Sequence, residues 1–464
     1  MTTTSLQVPD GLINAGNLAP RTIRVRSPVS KSAFDRSSLS SPVDPMSDFK
    51  EKRTEKAFQV LRFNWLLFPL IISGLFYTLL LPSHLFGFYS HLCTLYPFRP
   101  DQWKKLPKKW TFERFMICVV TRGDNFETVK RTVSSIEHLP IFDQRITIHI
   151  LTPLEMADKF QRYYGDRIQV DGVPADYTPL KAKHKARSLE WFRIENKVTE
   201  NDWILHLDEE TVVDNHAIRT CFDFIQRRPH KELAIAQGAI MYNEYNYWNN
   251  WLLTAGDNVR IADELGRFQF QINALNYPFG GLHGSFLLVN GEVENEVTWD
   301  DDNIVEDFYF GLAVTIKIAR EIIPSLTVFK AYSKGFKSAW LPTFVREQSP
   351  MSIKDYILQR RRWYTGIWQL NILYVRVVLG LWACMPLELF FWGGWFIYRD
   401  SAKVPEWLFF VIAFDDWDSG MSWTKILLTR WRVPLLLPLV RLIEMAAVVV
   451  TIASPAQGFD VIKK

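Results

Sequence analysis

Apolar and polar positions along this chain fall into three textures. The first is a charge-free run, "NWLLFPLIISGLFYTLLLP" from Asn64 to Pro82, matching the roughly 20 residues a membrane-spanning helix needs. A shorter, more polar run, "HLFGFYSHLCTLYPF", follows from His84 to Phe98. Lys50, Lys52, Arg53, Lys56 and Arg62 precede the pair, and Lys104, Lys105, Lys108 and Lys109 follow it. Basic residues on both flanks predict two cytosolic ends and a helical hairpin turning near Pro82; a partial or interfacial second leg fits the same pattern.

From Phe112 to about Trp340 short apolar runs alternate with stretches of helical spacing. "FMICVVTRG", "ITIHILT", "RIQVDGV" and "WILHLDEE" read as strands. "FETVKRTVSSIEHL", "KARSLEWFRIENKV" and "AIRTCFDFIQRR" read as helices. Such alternation predicts an open α/β sheet, which binds ligands at the carboxyl ends of its strands. Beyond Trp368 the chain turns apolar again. Val377–Tyr398 and Val433–Ala453 are each long enough to span a bilayer, whereas "WLFFVIAF" at 407–414 is too short alone. Within the last run Arg441 and Glu444 stand three apart and are expected to pair on one helix face.

The domain plan is therefore a disordered Ser/Pro/Thr/Arg-rich tail over 1–49 and N-terminal membrane segments with basic flanks over 50–111. A soluble α/β domain over 112–368 and a transmembrane region over 369–464 complete it. A formal charge of +4 on 464 residues gives nucleic-acid binding no support. The 14% aromatic content, with 18 Trp, suits sugar stacking or membrane interfaces. Cys93, Cys118, Cys221 and Cys384 lie far apart, which argues against a zinc site and a disulfide framework and for a reducing, cytosolic setting.

Four short motifs carry chemistry. "LHLDEET" brings Asp208, Glu209 and Glu210 together at a strand end. Asp208 and Glu210 offer hard oxygens to Mg²⁺ or Mn²⁺ shared with substrate phosphates, although surface acidic turns share the lettering. "DDDNIVEDFYFGLA" places Asp307 where a partly desolvated carboxylate serves as general base; an acid favouring a helix N-terminus explains it equally. "LQRRRWYTGIWQ" sets Gln359, Arg362 and Trp363 within one helical turn. Arg362 suits phosphate oxygens and Trp363 a sugar face, and an interfacial membrane helix would look alike. "GGLHGSFLLVN" supplies Gly280, Gly281, Gly284 and Ser285, either for close backbone approach to a ligand or as an ordinary turn.

In this order, D-x-E, G-S, E-D and Q-x-x-R-W between membrane segments resemble glycosyltransferase family 2, which includes cellulose, chitin and hyaluronan synthases. The wording of "VVTRGDN", "HKARSLEW", "HLDEET", "HGSFLLVN", "VEDFYFGLA" and "EQSPMSIKDYILQRRRWYTGI" is similar to the egghead-type β-1,4-mannosyltransferases, over roughly Phe112 to Trp368. The resemblance implies a Rossmann-like GT-A catalytic domain flanked by transmembrane helices. It implies a metal–diphosphate site at Asp208 and Glu210, Asp307 as base, and Lys185, Gln359 and Arg362 at the phosphates. Thr121 and Asp124 would contact the nucleoside, and Gly284, Ser285 and Trp363 the acceptor.

The chain departs from that pattern twice. "ILTPLE" lacks the Asp expected at the nucleobase, leaving Glu155 or Asp158 as substitutes. The stretch 314–330 looks like an insertion, for which a retained short intron is the preferred explanation and a true lineage-specific insertion the alternative. The expected activity is inverting transfer of a hexose, mannose from GDP-mannose or another hexose from a UDP-sugar, onto a lipid-linked or glycan acceptor. A processive β-polysaccharide synthase and an inactive scaffold of the same fold are the alternatives. The expected setting is a multi-pass protein of Golgi, ER or plasma membrane with a cytosolic catalytic domain.

Overall fold

The computed structural model describes residues 110–139, 143–242, 244–245, 251–258, 260, 264–278, 280–313, 335–370, 373–384 and 432–457. The N-terminal tail, both N-terminal apolar runs, the short run at 407–414 and the stretch 314–330 lie outside them.

Strands β1 (Arg114–Val120), β2 (Ile146–Pro153), β3 (Gln169–Val173) and β4 (Asp202–Asp208) fall where the apolar runs predict them. They alternate with helices α1 (Phe126–Glu137), α2 (Leu154–Tyr164) and α3 (His184–Glu195), and α4 (Asn215–Arg227) follows β4. Strand β5 (Leu233–Met241), helix α5 (Trp251–Asn258), helix α6 (Gln269–Leu275) and strand β6 (Leu287–Asn290) come next. Helix α7 (Gly291–Val297), helix α8 over 306–313 and strand β7 (Lys337–Arg346) complete the α/β unit.

The sheet runs β3-β2-β1-β4-β6-β5-β7. Strands β1 to β4 are parallel, while β6 lies antiparallel between β4 and β5. The glycine-bearing segment 280–286 leads directly into β6, whose direction makes the sheet mixed. Alternate residues of β1 feed two apolar cores. Phe115, Ile117 and Val119 meet Val129, Val133 and Ile136 of α1, while Met116 and Cys118 meet Leu189 and Phe192 of α3. With both faces covered, the inner strands β1 and β4 must be largely apolar, as these sequences are, whereas the edge strand β3 is exposed or half-buried up to Val173. Cys118 and Cys221 are free thiols buried in this interior. Because β1 leads to β2 on one side and pairs with β4 on the other, a crevice opens beyond the carboxyl ends of β1 and β4.

Three further helices follow: α9 (Ile353–Gln369), α10 (Leu373–Cys384) and α11 (Arg432–Ala453). Among the described residues no helix is long and apolar enough to cross a membrane. Only the start of the expected span from Val377 falls within α10; the other C-terminal run coincides with α11. Glu444 of α11 takes its hydrogen bonds from another helix, accepting from Arg360, Tyr356 and Tyr364 of α9.

Candidate active site

Strand β4 ends at Asp208, in register with Val120 at the end of β1. The following acids do not crowd one another, because the protein sends them different ways. Glu209 turns toward the β1 loop, where its two oxygens accept from Thr121 Oγ1 at 2.5 Å and Asn125 Nδ2 at 2.6 Å. Its carbonyl accepts from Thr132 Oγ1. Asp208 turns the other way, to Lys185 Nζ at 2.6 Å. Glu210 is half-buried beside them. Beneath this turn the Asp208 backbone N–H donates to Ser285 Oγ. That hydroxyl meets Thr211 Oγ1, which donates to the buried Glu347 carboxylate at 2.8 Å. Burial pushes Glu347 up to about 7, and the Asp208 charge adds to the shift.

Lys185 is the hub. It enters at the start of α3 just after His184, whose φ of 53° is a left-handed conformation rare outside glycine and found where a site dictates the backbone. Its Nζ lies 2.6 Å from Asp208 Oδ1, 3.3 Å from the Gly284 carbonyl and 3.5 Å from Glu306 Oε1. Burial alone would lower this ammonium, but Asp208, Glu306 and Asp307 outweigh it and hold Lys185 above its ordinary value. Glu306, only 6% exposed, moves the other way: burial raises it to about 7 although Lys185 opposes the shift.

Asp307 is half-buried in the first turn of α8, with Oδ1 accepting from the Phe308 N–H at 2.8 Å. A Cβ added at Gly284 would sit 2.7 Å from Lys185 Nζ and 2.8 Å from Asp307 Oδ2. Gly284 therefore borders the gap between an ammonium and a carboxylate, and a side chain there would have to push both aside. The preceding Gly281 has φ +84° and lies against the Phe308 ring, so the turn packs directly onto α8.

The structure thus brings Lys185, Asp208, Gly284 and Asp307 into one cluster, with Thr121 joined to it through Glu209. The other expected residues stand apart from it in different ways. Ser285 is 1% exposed and supports the end of β4 from below. Asp124 is exposed and paired with Arg122 at 3.6 Å. Gln359 is buried, its oxygen accepting from Arg360 at 3.1 Å. The Arg260 and Arg360 guanidinium carbons lie 4.2 Å and 4.4 Å from the centroid of the Trp363 ring. The charge of Arg362 reaches His184, next to Lys185, where burial and nearby cations depress the imidazole. Glu155 and Asp158 are exposed on α2.

Reading by motif passed over Glu306, Glu347 and Arg360. "VED" and "REQS" display the two acids, but only the fold reveals that they are buried. Arg360 had a local signal, since Tyr356, Arg360 and Tyr364 recur every four residues along one helix face.

Against known proteins, the model described as "Glycosyl transferase family group 2" matches residues 203–318, from the start of β4 to just beyond α8. The β-1,4-mannosyltransferase egh of Drosophila melanogaster is 28% identical over 291 residues, 59% of this chain and 58% of that protein. The β-1,4-mannosyltransferase bre-3 of Caenorhabditis elegans is 30% identical over 233 residues, 49% of this chain and 46% of that protein. The chain therefore spans about half the length of these curated relatives. Among solved structures, the mannosyltransferase PcManGT of Pyrobaculum calidifontis, in complex with GDP-Man and Mn²⁺, aligns over 81% of this chain and 98% of its own, at 11% identity and a TM-score of 0.45. The family match runs from the turn of Asp208 to the helix of Asp307, and with these relatives it marks the chain as a glycosyltransferase similar to family 2 and to its egghead-type members.

Proposed function

We propose that this chain is a membrane-bound inverting glycosyltransferase that moves mannose from GDP-mannose onto a glycolipid acceptor in β-linkage. The observation that supports it most is the convergence of Lys185, Asp208, Gly284 and Asp307 at the carboxyl end of β4. The named relatives are β-1,4-mannosyltransferases, which is the ground for choosing mannose.

Asp208 and Glu210 would hold Mg²⁺ or Mn²⁺. Two carboxylates at a strand end suit a hard cation that takes its remaining ligands from water and substrate phosphates. Glu209 does not fit that role, because both its oxygens are engaged by Thr121 and Asn125. When bound, the cation neutralises charge on the departing diphosphate. Lys185 supplies a second positive charge at the same place, and Arg362 a third from α9. Thr121 and Asp124, on the loop after β1, face the nucleoside end.

Asp307 takes the proton of the acceptor hydroxyl. The freed oxygen attacks the anomeric carbon, the bond from that carbon to the diphosphate oxygen breaks, and its electron pair leaves with GDP. One displacement inverts the configuration. Asp307 suits this better than Glu306, because Glu306 is buried and committed to Lys185 whereas Asp307 borders the gap at Gly284. Gly284 leaves room for the acceptor, Ser285 fixes the strand end beneath it, and Trp363 offers its ring as a wall. Gln359 acts on the phosphate end through its neighbour on α9.

Leu439, Leu442, Met445, Val449 and Ile452 are exposed on α11, while Val440 and Ala447 are buried. An exposed apolar stripe of this kind supports the membrane assignment. Nucleotide sugars are cytosolic, so the site should face the cytosol, in Golgi, ER or plasma membrane. Incubating membranes with labelled GDP-mannose, UDP-glucose and UDP-GlcNAc tests the reading. One labelled mannose on lipid is expected; a long polymer would favour a processive synthase, and failure to bind any donor an inactive scaffold.

A further inference from the structure

A second set of little-exposed charges, outside the cluster, lies on α9 and its neighbours. The side chains of Arg360, Asp257 and Glu444 are 0%, 1% and 14% exposed. Arg360 Nη2 donates to Asp257 of α5 at 2.6 Å and to Tyr356 Oη at 2.7 Å. Its Nε donates to Glu444 Oε1 of α11 at 2.8 Å, and Nη1 to Gln359 Oε1 at 3.1 Å. Glu444 also accepts from Tyr356 at 2.6 Å and, on its other oxygen, from Tyr364 at 2.8 Å. One carboxylate on the C-terminal helix therefore takes hydrogen bonds from three residues on successive turns of α9.

Burying such charges carries a large desolvation cost, and an uncharged packing of the same volume would often be at least as stable. What the arrangement supplies is geometry. A guanidinium is planar and donates in fixed directions, so carboxylates on two sides fix its plane. The Arg360 plane lies 4.4 Å from the centroid of Trp363, and its Nη1 orients Gln359. Both residues belong to the Q-x-x-R-W motif.

We infer that Glu444 is a positioning residue: acting through Arg360, it sets the Trp363 ring against which the acceptor sugar lies. The C-terminal helix is thereby part of the acceptor site although it touches no substrate. This rests on the reading of Trp363 as acceptor wall, and not on the assignments of Asp208 and Asp307.

The test uses the full chain in detergent or membranes and compares wild type with Glu444→Gln, Tyr364→Phe and Trp363→Ala. Losing the carboxylate charge opposite Arg360 should raise the acceptor KM roughly tenfold or more. GDP binding should stay within about twofold, because Glu444 and Arg360 make no hydrogen bond to Lys185 or Asp208 and reach the phosphate end only through Gln359. Tyr364→Phe removes one hydrogen bond and no charge, so it should shift the acceptor KM in the same direction by less, and it remains informative if Glu444→Gln fails to fold. A merely structural role would lower GDP binding and acceptor use together, and that result overturns the inference. Unchanged acceptor KM in Tyr364→Phe and in folded Glu444→Gln, with a raised KM in Trp363→Ala, overturns it alone. An unchanged KM in Trp363→Ala overturns the acceptor-wall reading and the inference with it.

Discussion

Lys185 Nζ stands 2.6 Å from Asp208 Oδ1, so the acid at the end of β4 is already paired with a cation carried by α3. The pair links two elements on either side of the crevice, and its charge is nearly balanced before substrate arrives. Removing the acid should leave Lys185 with Glu306 and Asp307 and take away one of the two carboxylates that would hold the cation at the diphosphate. Asp208→Asn is expected to lower transfer by about 100-fold or more while the protein remains folded and membrane-inserted. Transfer assays paired with solubility in detergent check this.

Glu209 should behave differently from its neighbour. Its oxygens hold Thr121 and Asn125, so it fastens the β1 loop to the β4 turn. Glu209→Gln keeps one acceptor and is expected to weaken nucleotide binding several-fold without abolishing turnover. Equal losses in the Glu209 and Asp208 variants would remove the distinction drawn between them.

Gly284→Ala probes the gap between Lys185 and Asp307. The added methyl would lie 2.7 Å and 2.8 Å from their polar atoms, well inside contact distance. Turnover should fall at least about tenfold, with only a small change in thermal stability because Lys185 and Asp307 are side chains able to move aside. A large drop in the melting temperature with normal turnover in the folded fraction would contradict this account of the gap.

Stability should depend on pH through Glu306. Its carboxyl is raised to about 7 when folded, chiefly by burial, against an ordinary value near 4.5. The folded state then binds the proton more tightly than the unfolded one, so this contribution is fully present below about pH 4.5 and is lost as pH rises through about 7. Glu306→Gln, which stays neutral, should flatten that part of the melting curve between pH 5 and 8. Glu347, raised similarly by burial, keeps some dependence in the variant. An unaltered pH profile would show that Glu306 is ionised throughout.

Much of the fold was legible because inner parallel strands are buried on both faces and are written as largely apolar runs, as β1, β2 and β4 are. The edge strand β3, QVDGV, is buried only at Val173 and carries a weaker signal. Strand β6 does not announce its direction: "LLVN" reads the same either way, and only the fold shows it antiparallel to its neighbours. The motifs located Asp208, Gly284 and Asp307 but not the partner each would find. The sequence assigned Glu209 no role between Asp208 and Glu210, and tertiary structure turns it onto Thr121 and Asn125. Glu444 looked like half of an ion pair within one helix. Its hydrogen bonds to Tyr356, Arg360 and Tyr364 reach residues 80 to 88 positions earlier, which no local spacing encodes.

The central claim is that Asp307 is the base of a mannosyl transfer at this cluster. Membranes bearing wild type or Asp307→Asn, incubated with labelled GDP-mannose, test it most directly, with GDP binding measured alongside. Wild type should place one labelled mannose on a lipid acceptor, and Asp307→Asn should bind GDP equally well yet transfer at a rate lower by about 100-fold or more. Transfer by Asp307→Asn at the wild-type rate would contradict the account.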